Sequence, residues 1–292
     1  VLAAMLLSCR DIVGGIEWAR GLKGQGDGIE KAVEKGKKAF VGPELRGKTL
    51  GVIGLGAIGA KVANAAHALG MNIVGNSVVV HPFLTAPCKM YDDVAEMVKV
   101  CDYVSIHVPS LPATKGMINK DLIANMKDGA IVLNYARPDL VVEEDIIAAL
   151  ESGKLRKYMT DLADENLINK PGIVSTPHLG ASTKEAEDNC ASMAVDELMD
   201  YIENGNIRNS VNFPPVSLDA EAGTTRVGIL YKGEVDVTAL LNEAVGADKV
   251  VKVEIGKSRT EYGYALALVK EDACKDCLAG IKADGVIKVR VL

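Results

Sequence analysis

A glycine-rich turn between a short apolar run and a helical stretch constrains this chain more than any other feature. The motif Gly54-Leu-Gly56-Ala-Ile-Gly59 follows the apolar run at residues 49–53 and opens an amphipathic stretch at residues 57–69. A second apolar run follows at residues 72–75, at the distance that a strand–helix–strand unit requires. Because parallel strands need such a crossover, the turn predicts a parallel β-sheet whose first connection is a helix.

The turn also has the chemistry of a phosphate-binding loop. In this context Gly54 permits a tight bend, Gly56 lets the backbone approach a pyrophosphate, and Gly59 lets the helix pack on its strand. The N–H groups at the start of the helix, which include those of Ala57 and Ile58, are free to bind phosphate. These five residues are predicted to hold a dinucleotide cofactor.

The alternation of strands and helices continues beyond the turn and predicts the fold class. The expected strands are at residues 49–53, 72–75, 103–108, 130–134, 158–161 and 173–176. The expected helices between them are at residues 57–69, 94–100, 120–126 and 143–152. Nearly continuous apolar strands alternating with amphipathic helices are typical of an α/β domain with a doubly wound parallel sheet, covered on both faces.

The rest of the chain divides into further segments. Residues 1–23 read as one connecting helix, residues 24–183 as the dinucleotide-binding domain, residues 184–212 as a helix returning to a substrate domain, and residues 213–224 as a linker. Residues 225–292 show the order strand, helix, strand, strand, helix, strand. That order predicts a small ferredoxin-like βαββαβ unit.

Composition excludes several classes of partner. The net charge is −6 and Lys and Arg form no cluster, so a nucleic-acid ligand is not expected. No apolar run approaches the roughly 20 residues of a membrane span, and the apolar start lacks a signal peptide's features, so a cytoplasmic protein is expected.

Cys274 and Cys277 are the one close pair of cysteines and lack further ligands nearby, so we predict reduced thiols and no metal site.

The end of the second predicted strand bears on cofactor choice. An acidic residue that binds the ribose 2′-hydroxyl is expected there, but residues 75–77 contain none, and Ser77 occupies the position. A neutral hydroxyl in place of a carboxylate weakens binding by about 1–2 kcal/mol. No Lys or Arg lies nearby to hold a 2′-phosphate, and His81 is the nearest side chain that can become cationic, so NAD is predicted over NADP.

Four motifs give the chain a family resemblance. They are the run at residues 42–59, His107-Val-Pro109 with Thr114, Asn134-Tyr-Ala-Arg137, and Thr176-Pro-His-Leu-Gly-Ala-Ser-Thr183. In order and spacing they resemble the D-isomer-specific 2-hydroxyacid dehydrogenases. The resemblance implies an NAD-binding Rossmann domain, with a longer segment of substrate domain ahead of the matched region. Beyond the glycine turn and Ser77, it implies cofactor contacts at His107, Pro109, Thr114, Tyr135, Ala136, Asp161 and Gly180.

The resemblance also implies the catalytic residues Arg137, Glu165 and His178. A histidine suits proton exchange near neutral pH, and His178 follows a predicted strand, where open sheets bind their ligands. By the family pattern Glu165 is its carboxylate partner, and Asp164 is the alternative, because the spacing of the loop does not decide between them. Arg137 can bind a substrate carboxylate through two hydrogen bonds. Pro138-Asp139 follows it where the family usually has two glycines.

The expected reaction is hydride transfer between NAD and a small-molecule 2-hydroxy acid. The run at residues 180–186 and the terminal unit, which resembles an ACT-type regulatory domain, favour the branch that oxidises 3-phosphoglycerate to 3-phosphohydroxypyruvate in serine biosynthesis. They also imply L-serine as an effector and assembly into a homodimer or homotetramer. Two alternatives stay open: a glyoxylate or hydroxypyruvate reductase, and a catalytically weak NAD(H)-sensing interaction protein on the same scaffold.

Overall fold

Two β-sheets organise the chain, and each belongs to its own unit. The computed structural model describes residues 1–256 and 261–292. These residues divide into one unit at residues 1–180 and a second at residues 181–292. The predicted boundary at residue 183 lies close to this division.

The first unit, whose residues are all described, is built on a seven-stranded parallel sheet. Its strands are β1 (Thr49–Ile53), β2 (Asn72–Asn76), β3 (Cys88–Met90), β4 (Tyr103–Ile106), β5 (Ala130–Asn134), β6 (Leu155–Thr160) and β7 (Ile173–Ser175). Their order across the sheet is β3-β2-β1-β4-β5-β6-β7. This is the doubly wound arrangement predicted from the alternation. The order reverses between β1 and β4, so the carboxyl ends of these two strands open onto the crevice where such sheets bind ligands.

Helices cover both faces of this sheet and explain why its central strands are apolar throughout. The helices of this unit are α1 (Leu2–Cys9), α2 (Ile12–Arg20), α3 (Ile29–Gly36), α4 (Ala57–Ala68), α5 (Val94–Val98), α6 (Lys120–Asn125) and α7 (Glu143–Glu151). Of these, α2 and α3 bury no residue and contribute to neither core. Every residue of β4 and β5 is buried. Two separate apolar cores form, one on each face of the sheet.

Three local predictions in this unit were wrong. The single helix expected over residues 1–23 is two helices, because Arg10 is extended and Asp11 caps α2 by accepting a hydrogen bond of 3.0 Å from the backbone N–H of Gly14. The connection expected at residues 24–47 contains α3, and the short edge strand β3 was not predicted. α3 was missed because its eight residues lie within a charged and glycine-rich sequence, and β3 was missed because three residues are too few to show a period.

The second unit carries a four-stranded antiparallel sheet. Its elements are α8 (Lys184–Asn204), β8 (Thr224–Lys232), α9 (Val237–Val245), β9 (Val250–Gly256), β10 (Tyr262–Lys270), α10 (Lys275–Ala279) and β11 (Val286–Val291). The strands lie in the order β11-β8-β10-β9, which confirms the predicted βαββαβ arrangement. No residue of α8 is buried, and the helix ends at Gly205, whose φ is 75°.

Two features of this unit differ from prediction. The expected linker at residues 213–224 contributes Val216 and Leu218 to an apolar core with Leu266, so part of it is packed structure. Cys274 and Cys277, expected to be reduced, form a disulfide. Within the two described ranges no helix combines the length and apolar character that crossing a bilayer would demand. No cluster of three or more potential metal ligands is found in the same ranges.

Candidate cofactor and catalytic site

The glycine turn is fixed by packing at two of its glycines and open at the third. Gly54 has a φ of 93°, and a Cβ atom there would lie 2.6 Å from the carbonyl oxygen of His107. A Cβ at Gly59 would overlap the carbonyl oxygen of Gly54, whereas one at Gly56 would meet nothing within 4 Å. Gly54 and Gly59 are therefore required by the protein itself. The open space at Gly56 is the property that a closely approaching ligand needs.

The start of α4 presents unbound donors to the same space. The first hydrogen bond within this helix runs from the N–H of Ala60 to the carbonyl of Gly56, at 3.0 Å. The N–H groups of Ala57, Ile58 and Gly59 thus have no partner within the helix, and Gly56 provides no side chain to cap them. A pyrophosphate group fits this set of donors, because aligned N–H groups at a helix start favour an anion.

Ser77 follows the end of β2, as the sequence predicted, but its hydroxyl has two partners already. Its Oγ accepts a hydrogen bond from the N–H of Leu55 at 2.9 Å and donates to the carbonyl of Val79 at 2.5 Å. The side chain therefore holds the glycine turn against the segment that follows β2. Its contact with a ribose stays a prediction.

A cleft of about 470 Å³ lies at the carboxyl ends of β4 and β5, beside the start of α4. Its lining residues are Val1, Ile58, His107, Val108, Pro109, Ser110, Tyr135, Ala136 and Arg137. The structure thus brings together six of the predicted site residues. Thr114 is not among the lining residues, because its hydroxyl is engaged in its own loop, donating to the carbonyl of Pro109 at 2.6 Å. Gly180 is exposed outside the lining of this cleft.

Asn134, which sequence reasoning did not single out, positions the loop that carries Arg137. Its side chain is 2% exposed and donates to the carbonyl of Arg137 at 2.9 Å and to the hydroxyl of Tyr158 at 3.2 Å. Its Oδ1 accepts from the N–H of Ala136 at 3.2 Å. Arg137 itself is exposed, with an extended backbone before Pro138, as a residue preceding proline should be. An asparagine at the end of an otherwise apolar predicted strand was the sequence signal that could have revealed this role of Asn134.

We expect Asn134→Ala to lower the free energy of unfolding by about 2 kcal/mol, because three hydrogen-bond partners lose their contact in a buried place. Urea unfolding followed by circular dichroism measures this effect. The control is Asn125→Ala, which removes an exposed asparagine whose side chain contacts only its own helix. Equal stabilities of the two variants would contradict the role given to Asn134.

His178 lies beside a carboxylate, but not the predicted one. Its Nδ1 lies 3.0 Å from Oδ2 of Asp161, whose side chain is 6% exposed, whereas that of His178 is 54% exposed. Glu165 instead lines a separate cleft with Glu143 and Lys170. The alternative partner, Asp164, accepts hydrogen bonds from the backbone of its own loop. Asp161, and neither Glu165 nor Asp164, therefore contacts His178 in the structure.

The reason for this pairing is the sheet. Asp161 follows β6 and His178 comes shortly after β7, and these neighbouring parallel strands end at the same edge. The N–H of Thr176 donates to the carbonyl of Thr160 at 3.0 Å, which aligns the two strand ends. The second carboxylate oxygen of Asp161 is buried without a hydrogen-bond partner in the described part of the chain. Burial raises the pKa of Tyr135, and the charge of Asp161 adds to this rise, which indicates that Asp161 lies near the cleft lined by Tyr135.

His107 is held neutral at the end of β4. Burial lowers its pKa to about 4. Its Nε2 lies 2.8 Å from the hydroxyl of Ser105, a bond that fixes the ring at the wall of the cleft. His107 is therefore suited to line a binding site and unsuited to carry a proton at neutral pH.

This lowered pKa predicts a pH-dependent loss of stability. The unfolded chain takes up a proton on His107 near pH 6.5 and the folded chain does so only near pH 4, so stability falls as the pH drops between these values. Between pH 7.5 and 5.5 the free energy of unfolding of the unmodified protein should fall by about 1 kcal/mol more than that of the His107→Gln variant. Urea unfolding at both pH values measures the difference, and the control His67→Gln, which keeps His107, should lose as much stability as the unmodified protein.

Comparisons with known proteins agree with this geometry. A family model described as "D-isomer specific 2-hydroxyacid dehydrogenase, NAD binding domain" matches residues 2–180. D-3-phosphoglycerate dehydrogenase of Haemophilus influenzae is 32% identical over 269 residues, which are 88% of this chain and 65% of that protein. The chain thus spans just under two thirds of this relative's length.

Solved structures show the same similarity. A glyoxylate reductase from Paecilomyes thermophila matches with a TM-score of 0.61 and 28% identity, covering 72% of this chain and 62% of that one. The NAD-complexed form of a D-isomer specific 2-hydroxyacid dehydrogenase from Lactobacillus delbrueckii ssp. bulgaricus matches with a TM-score of 0.51 and 26% identity. That match covers 56% of this chain and 57% of the other.

Proposed function

Because the chain belongs to the D-isomer specific 2-hydroxyacid dehydrogenase family, whose NAD-binding domain matches residues 2–180, we propose that it transfers a hydride between NAD and C2 of a 2-hydroxy acid. The observation that carries the proposal is the contact between His178 and Asp161 at the sheet edge that also bears the glycine turn. An imidazole backed by a buried carboxylate is a proton acceptor, and the turn supplies the donors that a dinucleotide needs.

The proton chemistry follows from the geometry of His178. With Nδ1–H donating to Asp161, the other ring nitrogen, Nε2, is free to accept the proton of the substrate hydroxyl. The carboxylate then stabilises the imidazolium that forms. NAD, when bound, supplies the acceptor for the hydride that leaves C2. In the reverse direction His178 returns the proton to the carbonyl oxygen.

Arg137 is the residue proposed to bind the substrate carboxylate. It is exposed at the rim of the cleft, and one of its guanidinium nitrogens donates to the carbonyl of Ala136 at 2.7 Å. The remaining donors can form the planar, two-point contact that a carboxylate favours. Arg137 follows β5 and His178 follows β7, and these parallel strands, with β6 between them, end at the same edge of the sheet.

The proposed substrate is 3-phosphoglycerate, which would be oxidised to 3-phosphohydroxypyruvate. The similarity to D-3-phosphoglycerate dehydrogenase along 88% of the chain supports this choice. The βαββαβ unit supports a regulatory role of the ACT type with L-serine as effector. A cytoplasmic location and a homo-oligomer are proposed from the resemblance alone. A second candidate, glyoxylate reduction, is favoured by the similarity to the glyoxylate reductase structure.

Two measurements on this chain test the proposal. NADH binding is followed by fluorescence titration, and NADH formation is followed with 3-phosphoglycerate, glycerate and D-lactate as alternative substrates, with glyoxylate tested in reverse. We expect NADH binding and a kcat/KM for 3-phosphoglycerate at least tenfold above those of the others, a margin of about 1.4 kcal/mol. Binding without turnover of any substrate would favour a cofactor-sensing protein, and absence of binding would refute the proposal. Unchanged turnover at millimolar L-serine would remove the effector.

A further inference from the structure

The disulfide at the start of α10 lies on the protein surface, between two residues that are buried in the core of the second unit. Cys274 and Cys277 are bonded, with their Cα atoms 5.2 Å apart, and both residues are exposed. The adjacent Ala273 and Leu278 are buried in the core of the second unit at 8% and 0% exposure. Small thiols and disulfides can therefore reach the sulfur atoms, while the backbone that carries them stays in place.

The bond has little to contribute as a structural cross-link. The two cysteines are three positions apart, and a cross-link over so short a loop restricts the unfolded chain far less than one over a long loop. The N–H of Cys277 also donates to Sγ of Cys274 at 3.2 Å, a contact that favours a thiolate at Cys274 after reduction. Reduction would thus leave two thiols near each other, one of them with a hydrogen bond that promotes its reactivity.

The other four cysteines differ from this pair in their burial or in being unbonded. Cys9 and Cys101 are buried, Cys88 is partly buried, and Cys190 is exposed and unbonded. Burial raises the pKa of Cys101 to about 12 and also raises the pKa of Cys88, so both stay protonated and poorly nucleophilic at neutral pH. No group of three metal ligands exists in residues 1–256 and 261–292, so nothing there completes a metal site around the pair.

We propose that Cys274 and Cys277 form a reversible dithiol–disulfide site that exchanges with low-molecular-weight thiols and disulfides of the glutathione class. In the oxidising direction one cysteine thiolate attacks a sulfur of glutathione disulfide, which forms a mixed disulfide and releases one glutathione thiolate. The second cysteine thiolate then attacks the protein sulfur and releases the second glutathione. Two protein thiols are oxidised, one glutathione disulfide is reduced to two thiols, and the number of protons is conserved. Excess thiol reverses both steps.

Thiol counting on the folded full chain tests the proposal. The protein is equilibrated with reduced glutathione or with glutathione disulfide, quenched in acid, unfolded, alkylated with N-ethylmaleimide and weighed by mass spectrometry. We expect six labels after reduction, one for each cysteine, and four after oxidation. The two lost labels should lie on the peptide that contains Cys274 and Cys277. This readout needs neither cofactor nor substrate, so it is independent of the proposed dehydrogenase activity.

Two variants provide the controls. Cys190→Ser removes the one other exposed cysteine of the described residues and should keep the two-label difference. Cys277→Ser should abolish it and trap a single glutathione on Cys274. Four labels after reduction would show that the bond does not exchange in the folded protein. Six labels after oxidation would likewise overturn the proposal.

Discussion

Replacing His178 by alanine is expected to reduce turnover about a thousandfold while leaving the affinity for NADH within a fewfold of the unmodified protein. The imidazole is the proposed proton acceptor, and the variant lacks it. The groups proposed to bind the pyrophosphate are backbone N–H groups at the start of α4, which the substitution leaves in place. Steady-state kinetics gives the first quantity, and fluorescence titration gives the second.

Three further variants show whether the effect arises at the site. His67→Ala removes an exposed histidine from α4 and should change neither quantity. Asp161→Asn keeps the shape of the side chain at 3.0 Å from Nδ1 but removes its charge, so turnover should fall by about a hundredfold. Glu165→Gln should have a much smaller effect. If instead Glu165→Gln abolishes turnover and Asp161→Asn leaves it intact, the family pattern was right and the contact seen here is not the catalytic one.

Alanine at Gly56 and alanine at Gly59 are expected to fail in different ways. At Gly56 the added methyl group meets nothing in the protein, so folding should be unchanged, but it enters the space proposed for the pyrophosphate. NADH affinity should fall by about a hundredfold, which corresponds to about 2.7 kcal/mol. At Gly59 the methyl group overlaps the carbonyl of Gly54, so the domain itself should lose about 3 kcal/mol of stability.

Thermal unfolding and NADH titration of both variants separate these outcomes. Gly28→Ala is the matched control, because its backbone is helical and an added Cβ there meets nothing within 4 Å. It should leave stability and binding unchanged. Normal NADH affinity in Gly56→Ala would show that no phosphate approaches this turn and would remove the basis of cofactor binding.

Much of the first unit could be predicted because the periodicity of its apolar residues and the position of its glycine turn indicate the same strands and helices. The bounds predicted for β1 and β5 are those observed, and the glycine turn lies between a strand and a helix as expected. Residues 24–47 were read as a connection because their charged and glycine-rich sequence hides a short amphipathic helix, α3. The sequence pattern predicts a strand well where the strand is buried on both faces and therefore apolar throughout. It predicts an element poorly where that element packs on one side only.

The histidine partner could not be predicted from loop sequence alone. Three acids, Asp161, Asp164 and Glu165, lie within five positions, and their order says nothing about which one points along the sheet edge. The order of β6 and β7 in the sheet decides it, and that order is a property of the whole domain. The disulfide between Cys274 and Cys277 was missed for a different reason: the pair was considered as a metal site, and the lack of further ligands was taken to indicate reduced thiols, although the spacing also permits a bond.

The order of strands in the parallel sheet has a consequence for synthesis of the chain. β1 lies between β2 and β4, yet β4 is completed only at Ile106, about 50 residues after Ile53 ends β1. At about 10 residues per second, a nascent chain would expose one apolar edge of β1 for roughly 5 s before its second neighbour is made. Chaperones that shield unpaired strands during translation would therefore act on the first unit in this interval.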